Sequence, residues 1–300
     1  MRILVPATTA NLGPGFDTLG LALALYNELE LQTTEEPGIH IEVCGEGAGE
    51  LPADPSHLAV KALARVLEGA GEKLASGLRL RQFNRLPLAR GLGSSAAAIV
   101  AGVVAGARLL RLEGVDVVAE ATVLEGHPDN VAPCYLGGLV ASCQTGQRTY
   151  SCNLPIHRCW QVAVAIPEFQ LSTAKARGVL PDHYTRQQAV FNLAHLPLLM
   201  AGLAEGRGEL VREGTRDAIH QPFRLDLIPG AGQVIEAACE AGADGAFGSG
   251  AGPTMAALVD SRRSHTQAVA QAMVEAFAAA GVGATGLTLE VDRQGCRVLS

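Results

Sequence analysis

The sequence predicts an α+β protein of two domains. Its 300 residues, 48% of them hydrophobic, can bury one large core or two of ordinary size. Short runs rich in Val, Ile and Leu, which are typical of strands, alternate with longer alanine-rich runs, which are typical of helices. No fixed repeat separates these runs, and both halves of the chain contain both kinds, so we expect helices and strands in each domain.

Five short runs are predicted to be strands, because their length and aliphatic composition fit a partly buried sheet. In chain order they are Arg2–Pro6, Ile39–Cys44, Gly77–Phe83, Gln161–Ile166 and Thr254–Val259.

Six longer, alanine-rich runs are predicted to be helices. The second of them begins at a pair of serines, a residue type that commonly caps helices. In chain order they are His57–Gly69, Ser94–Leu112, Val115–Leu124, Tyr184–Leu203, Gly230–Ala241 and Ser264–Ala280.

A polar segment, Gln144–His157, lies between the helix-rich first half and a second half whose first strand begins near Cys159. We therefore place the domain boundary close to Pro155, which gives domains of residues 1–155 and 156–300.

Composition excludes several classes of partner. The formal net charge of -7, without basic runs, argues against nucleic acid and against an anionic membrane surface. The seven cysteines never form a Cys-x-x-Cys pair, which argues against a zinc site and indicates reduced thiols. The opening MRILVP lacks the apolar core of a signal peptide, and the longest apolar run, Ala96–Ala107, is too short to span a bilayer. We expect a cytoplasmic protein.

The stretch RLPLARGLGSSAAAIVAG predicts an anion site. Gly91 and Gly93 remove side chains, so that backbone N–H groups can converge where a helix begins at Ser94 and Ser95. The two hydroxyls are ligands that a magnesium ion accompanying a nucleotide can take. From this loop alone, an ordinary capped helix after a glycine turn stays equally open.

Two known nucleotide loops differ from this one. The loop G-x-x-x-x-G-K-[ST] requires a lysine that is missing here. The dinucleotide fingerprint G-x-G-x-x-A is formally satisfied by Gly91, Gly93 and Ala96, with Glu113 about twenty residues further on. A spacer, NRLPLAR, separates the predicted strand from the first glycine, whereas a dinucleotide loop normally follows its strand at once. A nicotinamide-dependent enzyme is therefore the second hypothesis.

Two further segments are glycine-rich and polar: PATTANLGPGFDTLG (Pro6–Gly20) and GAFGSGAGPT (Gly245–Thr254). Either alone is typical of a tight turn, but three such loops favour a shared ligand. In this order the three segments resemble the motifs of the superfamily of galactokinase, homoserine kinase, mevalonate kinase and phosphomevalonate kinase. EGHPDNVAP (Glu125–Pro133) is similar to the homoserine kinases in particular.

The resemblance extends from Pro6 to Thr254 and implies both a fold and a reaction. The implied fold is an N-terminal domain like ribosomal protein S5 domain 2 and a ferredoxin-like C-terminal domain, with ATP and the substrate between them. The implied reaction is transfer of the γ-phosphoryl group of ATP to the side-chain hydroxyl of L-homoserine, which gives O-phospho-L-homoserine for threonine biosynthesis. The residues do not indicate an oligomeric state; homoserine kinases are often dimers, and by that analogy alone a homodimer is expected.

The resemblance also implies an ATP site. Gly248, Gly250 and His57 are expected to contact the nucleotide; related kinases commonly have asparagine at the position of His57, so the adenine contacts stay open. Ser95 and Glu125 are expected to hold magnesium, with Glu120 as the rival carboxylate. The loop expected to wrap the phosphates consists of Pro87, Leu88, Ala89, Arg90, Gly91, Leu92, Gly93, Ser94, Ser95, Ala96 and Ala97.

A free amino acid presents an ammonium and a carboxylate, and a selective site should bind both. Asp17 is the candidate for the ammonium. Arginine binds carboxylates in a bidentate manner, and the resemblance singles out Arg177 in STAKARGVLP and Arg224 in HQPFRLDLIPG as the candidates for the carboxylate. By resemblance the pocket is completed by Asn11, His127, Asn130 and Thr173.

Catalysis is assigned to Asn130 and Arg177. Asn130 is expected to hold the hydroxyl or the transferring phosphoryl group, and Asp129 is left as a structural or secondary candidate. Two hypotheses remain beside homoserine phosphorylation and the nicotinamide-dependent enzyme: a related kinase that acts on another small alcohol, and a regulator that binds small molecules without chemistry.

Overall fold

The structure, a computed structural model, describes residues 1–72, 77–146 and 148–299. Within this part of the chain, the first sheet has the strand order β11-β1-β2-β4-β3, and β5 and β6 extend it from β2. Its strands are β1 (Arg2–Asn11), β2 (Gly15–Thr34), β3 (Ile39–Gly45), β4 (Gly77–Asn84), β5 (Leu139–Thr145), β6 (Arg148–Leu154) and β11 (Arg297–Leu299).

Helices pack against this sheet, and the second of them is the most deeply buried. Every residue from Ala96 to Gly106 is buried, so the helix is apolar all round, as a central helix must be. A Cβ at Gly102 would overlap the Ala59 carbonyl oxygen of the preceding helix, so glycine allows the two helices to touch. The helices of this half are α1 (Leu58–Gly69), α2 (Ser94–Leu109), α3 (Val117–Glu125) and α4 (Pro128–Leu136).

The second half of the chain builds an antiparallel sheet of order β10-β7-β9-β8. Its first strand lies between the last and the third, with helices in the crossovers, which is the ferredoxin-like arrangement that was expected. In chain order the elements are β7 (Trp160–Pro167), α5 (Thr173–Gly178), α6 (Arg186–Glu205), α7 (Gly208–Gly214), α8 (Gln221–Arg224), α9 (Ala231–Glu240), β8 (Gly245–Gly248), β9 (Met255–Asp260), α10 (Thr266–Ala279) and β10 (Ala284–Glu290).

The predicted α+β class is confirmed, and each predicted strand and helix overlaps an observed one. The main omission is β2, part of which was interpreted as a loop. Its central residues, Leu19–Leu23, are buried on both faces, so the apolar-polar alternation of a half-exposed strand is missing there. The polar segment after Gln144 is largely a hairpin strand rather than a linker.

The two halves are joined by more than a linker. The chain returns to the first sheet, where β11 pairs with β1 and Val291 bridges to Leu23. Trp160 and Phe247 of the second half belong to the same apolar core as the first sheet. The division at Pro155 falls between β6 and β7 and stays a prediction, since the last strand belongs to the first sheet.

Candidate active site

Three glycine loops meet at a cleft with a volume of about 100 Å³, which both halves of the chain line. We call residues 11–17 the first glycine loop, residues 85–93 the second and residues 249–254 the third. Backbone bonds tie them together: the Gly250 N–H donates to the Ala10 carbonyl (3.2 Å), and the Thr254 N–H donates to the Arg90 carbonyl (3.2 Å). Backbone hydrogen bonds therefore hold the three loops against one another.

Glycine is required where the second loop meets its neighbours. Gly91 and Gly93 have φ of +82° and +71°, a region that disfavours other residues. A Cβ at Gly93 would overlap the Thr8 hydroxyl, and one at Gly91 would overlap the Ser249 carbonyl oxygen. Gly93 caps α2 without a side-chain hydrogen bond, so the first-turn N–H groups of α2 are available to an anion.

A hydroxyl and a carboxylate meet beside this helix N-terminus. Ser95 Oγ donates to Glu125 Oε2 at 2.7 Å. Burial raises the pKa of Glu125, and the Ser95 hydrogen bond and the charge of His127 only partly oppose this. Glu120, the rival carboxylate, instead pairs with Arg65 Nε at 2.7 Å and is not among the residues lining the cleft.

The donor set fits magnesium held jointly with a nucleotide. Across residues 1–72, 77–146 and 148–299, no group of three or more His, Cys, Asp and Glu side chains could hold a metal ion alone. One carboxylate and one hydroxyl suit Mg²⁺, which is usually bound through one or two carboxylates together with substrate phosphates.

Asp17 and Arg177 form a bidentate ion pair across the cleft. Arg177 Nη1 donates to Asp17 Oδ2 at 3.0 Å, and Nη2 donates to Oδ1 at 2.6 Å. About a third of each side chain is exposed (35% and 37%), so the pair is open to a ligand. Asn11 fixes the loop below it, since its Oδ1 accepts from the Asp17 N–H (3.1 Å) and its Nδ2 donates to the Gly250 carbonyl (2.9 Å).

Arg224 is a buried cation at the same end of the cleft, only 5% exposed. Its Nε donates to the Ala176 carbonyl (3.1 Å) and its Nη1 to the Gly250 carbonyl (3.2 Å). Burial lowers the pKa of Arg224, and the charge of Arg177 lowers it further. Among the described residues no carboxylate lies within ion-pair distance of Arg224, so its charge is left for a ligand.

Phe16 organises both arginines. Its ring centre lies 5.0 Å from Arg224 Cζ and 5.6 Å from Arg177 Cζ, within the range of cation–π attraction. His220 stacks on the same ring, with centroids 5.2 Å apart, and its Nε2 is 2.8 Å from the Gly13 carbonyl oxygen. Three elements distant in the chain are thus held by one aromatic side chain.

The HPDN segment, His127–Asn130, contributes a second cluster of polar side chains to the cleft. His127 Nδ1 lies 2.6 Å from Asp129 Oδ1, and the Thr8 hydroxyl donates to Asn130 Oδ1 at 2.8 Å. Burial acts to lower the pKa of His127, but the hydrogen bond to Asp129 and the charges of Asp129 and Glu125 outweigh it and raise the pKa. Asp129, at 3% exposed, is engaged by this histidine.

Most of the residues selected from the sequence line the cleft. They are Asn11, Asp17, Pro87, Ala89, Arg90, Gly91, Gly93, Ser94, Ser95, Glu125, His127, Asn130, Thr173, Arg177, Arg224 and Gly250. Residues selected from the sequence that lie outside the lining are Leu88, Leu92, Ala96, Ala97, Gly248 and His57. Leu92, Ala96 and Ala97 belong to the apolar core, where they support the loop from behind.

His57 is buried, at 2% exposed. Its Nδ1 accepts from the Ala59 N–H at 3.3 Å and caps α1, while its Nε2 has no partner among the described residues. In this conformation its ring does not line the cleft, so the expected contact with a base stays a prediction.

Sequence reasoning missed the residues that hold the loops together. Phe16 and Thr8 lie inside a stretch that was recognised, but only its polar residues were taken as ligands. Ser249 Oγ lies 2.6 Å from the Gly91 carbonyl oxygen and 2.8 Å from Thr9 Oγ1. The only signal in the sequence was the high content of Gly, Ser and Thr in these stretches. That content does not indicate which loops contact each other.

The geometry does not favour the dinucleotide hypothesis. β4 ends at Asn84 and α2 begins at Ser94, so a long spacer separates strand from helix. Of the neighbouring pairs in the first sheet, β3 and β4 are parallel, but β2 pairs antiparallel with β1, β4 and β5, unlike the parallel sheet of a dinucleotide-binding fold. Glu113 lines a different groove from the glycine loops.

Known proteins resemble this chain over its full length. Family models described as "GHMP kinases N terminal domain" and "GHMP kinases C terminal" match residues 57–138 and 196–283. Homoserine kinase of Nostoc punctiforme is 44% identical over 299 residues, covering 99% of this chain and 97% of that protein. Homoserine kinase of Moorella thermoacetica is also 44% identical, covering 99% of each. The crystal structure of homoserine kinase from Cytophaga hutchinsonii superposes with a TM-score of 0.90 at 33% identity, covering 100% of this chain and 97% of that one.

Proposed function

Because this chain belongs to the GHMP kinases and, within them, to the homoserine kinases, we propose that its cleft joins ATP and L-homoserine for phosphoryl transfer. It is an ATP-dependent kinase, and the product is O-phospho-L-homoserine, an intermediate of threonine biosynthesis. One observation carries the assignment of roles: an anion site with a hydroxyl and a carboxylate, and an ion pair suited to a zwitterion, line one cleft.

The ATP phosphates are proposed to bind the second glycine loop and the N-terminus of α2. Gly91 and Gly93 let the second loop pack closely against Ser249 and Thr8, and the helix end supplies N–H donors and the positive end of its dipole. The loop is braced from the third glycine loop, so its backbone donors need little rearrangement when the nucleotide arrives.

Magnesium is proposed to be held by Ser95, Glu125 and the nucleotide phosphates. When bound, it would neutralise charge on the transferring phosphoryl group. A half-buried carboxylate with a raised pKa would gain from a divalent cation beside it, which supports Glu125 over the salt-bridged Glu120.

The amino acid is proposed to exchange partners with the ion pair. Its ammonium would take the place of Arg177 on Asp17, and its carboxylate would bind the released Arg177 together with Arg224. Asn11, His127 and Thr173 line the same pocket and would complete the polar contacts.

Transfer requires the side-chain oxygen of homoserine to attack the γ-phosphorus while the bond from that phosphorus to the β-phosphate oxygen breaks, with ADP leaving and the hydroxyl proton passing to an oxygen of the transferred phosphoryl group. Asn130, oriented by Thr8, is proposed to hold the hydroxyl in line through its Nδ2. His127, whose pKa is raised, is suited to place positive charge near the phosphoryl group rather than to accept the proton. The geometry supports catalysis by positioning and charge neutralisation.

We also propose that the protein works in the cytoplasm. All seven cysteines lie within the described ranges and none is paired, which fits a reducing compartment. Among the described helices, none combines the length and apolarity needed to cross a bilayer.

The test is ADP release with MgATP and a panel of L-homoserine, mevalonate, galactose, L-serine and L-threonine, for wild type and Arg224→Ala. We expect turnover with homoserine and loss of it in Arg224→Ala, while Arg111→Ala, an exposed arginine outside the cleft, keeps it. Turnover with another alcohol but not with homoserine would contradict the assignment of the substrate. Failure to bind ATP would contradict the assignment of the reaction.

A further inference from the structure

Three neighbours hold the guanidinium group of Arg224 and leave one end of it open. Its Nε donates to the Ala176 carbonyl (3.1 Å) and its Nη1 to the Gly250 carbonyl (3.2 Å). The third neighbour is Nδ1 of His220, which lies 3.5 Å from Nη1. Among the described residues no group accepts from Nη2, and this atom is not closed off from solvent. The two N–H groups of Nη2 are therefore the ones that a ligand in the cleft can use.

The neighbours of His220 determine which of its ring nitrogens carries the proton. Nε2 lies 2.8 Å from the Gly13 carbonyl oxygen and 3.6 Å from Asp217 Oδ2, and both oxygens are acceptors. Nδ1 faces a donor, the guanidinium group of Arg224. Burial lowers the pKa of His220, and the charge of Asp217 and the bond to Gly13 oppose this only in part, so the ring is neutral at neutral pH. The proton is therefore assigned to Nε2, and the lone pair of Nδ1 points towards Arg224.

Asp217 fixes the segment that leads into α8. Its side chain is fully buried, and no Lys or Arg in the described part of the chain pairs with it. Oδ2 accepts from the His220 N–H (2.8 Å) and from the Gln221 N–H (2.7 Å). Oδ1 accepts from the Ile219 N–H (3.1 Å) and from Asn192 Nδ2 (2.6 Å). These four bonds use every acceptor position of the carboxylate, and they satisfy N–H groups that a helix of four residues cannot satisfy by itself.

We propose that His220 is a positioning residue for Arg224 in the binding of the amino acid, and that Asp217 holds His220 in place for this role. As a neutral acceptor the ring would fix Nη1, so that Nη2 meets the carboxylate of homoserine. The inference rests on the proposed function, since it assumes that Arg224 binds this carboxylate. Neither His220 nor Asp217 lines the cleft, so both would act through Arg224 rather than on the substrate.

His220 has a second contact that could explain a defect without Arg224, namely its bond to Gly13 in the first glycine loop. Two amide side chains separate the two contacts. Asparagine places an amide oxygen near the position of Nδ1, where it can accept from Arg224, but it does not reach Gly13. Glutamine places its amide near the position of Nε2, where it can donate to Gly13, but it offers no acceptor to Arg224. Both variants lose the aromatic stack on Phe16.

The test is steady-state kinetics of the full chain with homoserine and MgATP varied in turn. We expect His220→Gln to raise the KM for homoserine about tenfold and His220→Asn to raise it about threefold or less, because asparagine alone keeps an acceptor for the guanidinium group. The kcat and the KM for ATP should stay within about twofold of wild type in both variants, since the ring contacts neither the ATP phosphates nor the reacting oxygen.

Asp217→Asn tests the support of His220. The amide keeps the size of the carboxylate but replaces one acceptor oxygen by a donor, so two of the four bonds are lost, and the KM for homoserine should rise about tenfold. Asp244→Asn is the matched control and should keep the wild-type KM. Asp244 is also a buried carboxylate, at 5% exposed, and accepts from the Asp260 N–H at 2.9 Å, but it does not line the cleft.

Melting curves and the Kd for ATP establish that each variant is folded. An unchanged KM for homoserine in both His220→Gln and Asp217→Asn would overturn the inference, and so would a KM for ATP that rises by the same factor. A His220→Asn variant weaker than His220→Gln would assign the effect to Gly13 and overturn the role of Arg224. If wild type fails to phosphorylate homoserine, the proposed function itself is overturned, which is a different result from wild-type turnover with insensitive variants.

Discussion

Phe16 shows how one apolar residue can set the geometry of a polar site. Both guanidinium groups lie over its ring at 5.0 and 5.6 Å, and the buried His220 backs it. Arginine has a long flexible side chain, and fixing it in one conformation costs rotamer entropy. Because stacking on Phe16 already fixes both arginines, a ligand that binds them does not incur that cost again. We interpret Phe16 as a positioning residue for Arg177 and Arg224.

Phe16→Leu is therefore expected to raise the KM for homoserine about tenfold, since two cation–π contacts of about 0.5–2 kcal/mol are lost. The KM for ATP should stay within about twofold, because the second glycine loop does not touch this ring. Steady-state kinetics with each substrate varied in turn measures both. Phe16→Tyr, which keeps the ring, should restore the wild-type value; a tyrosine variant as weak as the leucine variant would contradict the stacking role.

His127 makes stability depend on pH. Its pKa is raised in the folded protein, so its contribution to the free energy of unfolding is fully present below its ordinary value of 6.5 and is lost as pH rises through the folded pKa. The pKa of Glu125 is also raised in the folded protein. Its contribution to the free energy of unfolding is therefore also lost as pH rises, starting from its ordinary pKa of 4.5. Without nucleotide or magnesium, the protein should therefore be less stable at pH 8 than at pH 6.

Denaturant unfolding of His127→Gln should show a smaller loss of stability between pH 6 and pH 8 than wild type. His265→Gln, which replaces an exposed histidine far along the chain, is the control and should behave as wild type. If His127→Gln lost as much stability between pH 6 and pH 8 as the wild type, a different titrating group would be responsible for the pH dependence.

At this scale the sequence identified the kinds of side chain needed but not their partners. Asp17 and Arg177 were selected separately for the two ends of an amino acid, and their pairing at a sequence separation of 160 has no local signal. Glu125, next to the HPDN segment, was preferred over Glu120, but the choice stayed open because loop lengths before that segment vary among similar kinases. Only the position of α3 beside α2 separates them, and that depends on packing.

At the scale of elements, the second glycine loop is closely packed, because its neighbours leave no room for a side chain at Gly93. Gly93→Ala places a Cβ against the Thr8 hydroxyl in a backbone conformation with φ of +71°. The strained backbone alone costs about 1–2 kcal/mol. We expect Gly93→Ala to lower the melting temperature and to raise the KM for ATP more than tenfold.

Gly114→Ala isolates the part of this effect that comes from the overlap. Gly114 has φ of +75°, nearly the same, but a Cβ there would meet nothing within 4 Å. Its variant should show the conformational cost without the loss of ATP binding. Equal effects of the two substitutions on the KM for ATP would contradict the explanation by close approach.

The elements predicted from the sequence have an apolar pattern that is visible within the element itself, and β2, which was missed, lacks one. α1 has a clear apolar face, with six buried residues from Ala59 to Leu67, and β7 is continuously apolar from Val162 to Pro167. The first glycine loop leads directly into β2, where Asp17 takes a positive φ within the strand. Turn residues inside a strand mislead any reading based on local composition, because strand pairing overrides the local preference.

At the scale of the whole molecule, the larger of two apolar clusters runs through both halves, while the second lies within the second half. Trp160, the single tryptophan, is 1% exposed and its Nε1 donates to the Leu203 carbonyl at 2.9 Å within that core. β11 ties the end of the chain to β1. We infer that neither half is a separate folding unit, although the family match divides the chain into two domains.

Unfolding should accordingly be a single transition. Tryptophan fluorescence and far-ultraviolet circular dichroism should give the same midpoint in denaturant, and Leu63→Ala in the first half should lower both equally. The expected loss is about 2–5 kcal/mol, since Leu63 is fully packed at 2% exposed. Midpoints that separate in this variant would show that the halves unfold independently.

The ion pair between Asp17 and Arg177 gives the cleft the same charge arrangement as a zwitterionic amino acid. A zwitterion that enters brings one positive and one negative pole and displaces one contact of each sign, so the charge of the complex equals that of the free enzyme. Homoserine affinity should then vary little with ionic strength. A lactone or an amino alcohol, which carries at most one of the two poles, would leave a charge stranded, and the cleft would reject it without any steric barrier.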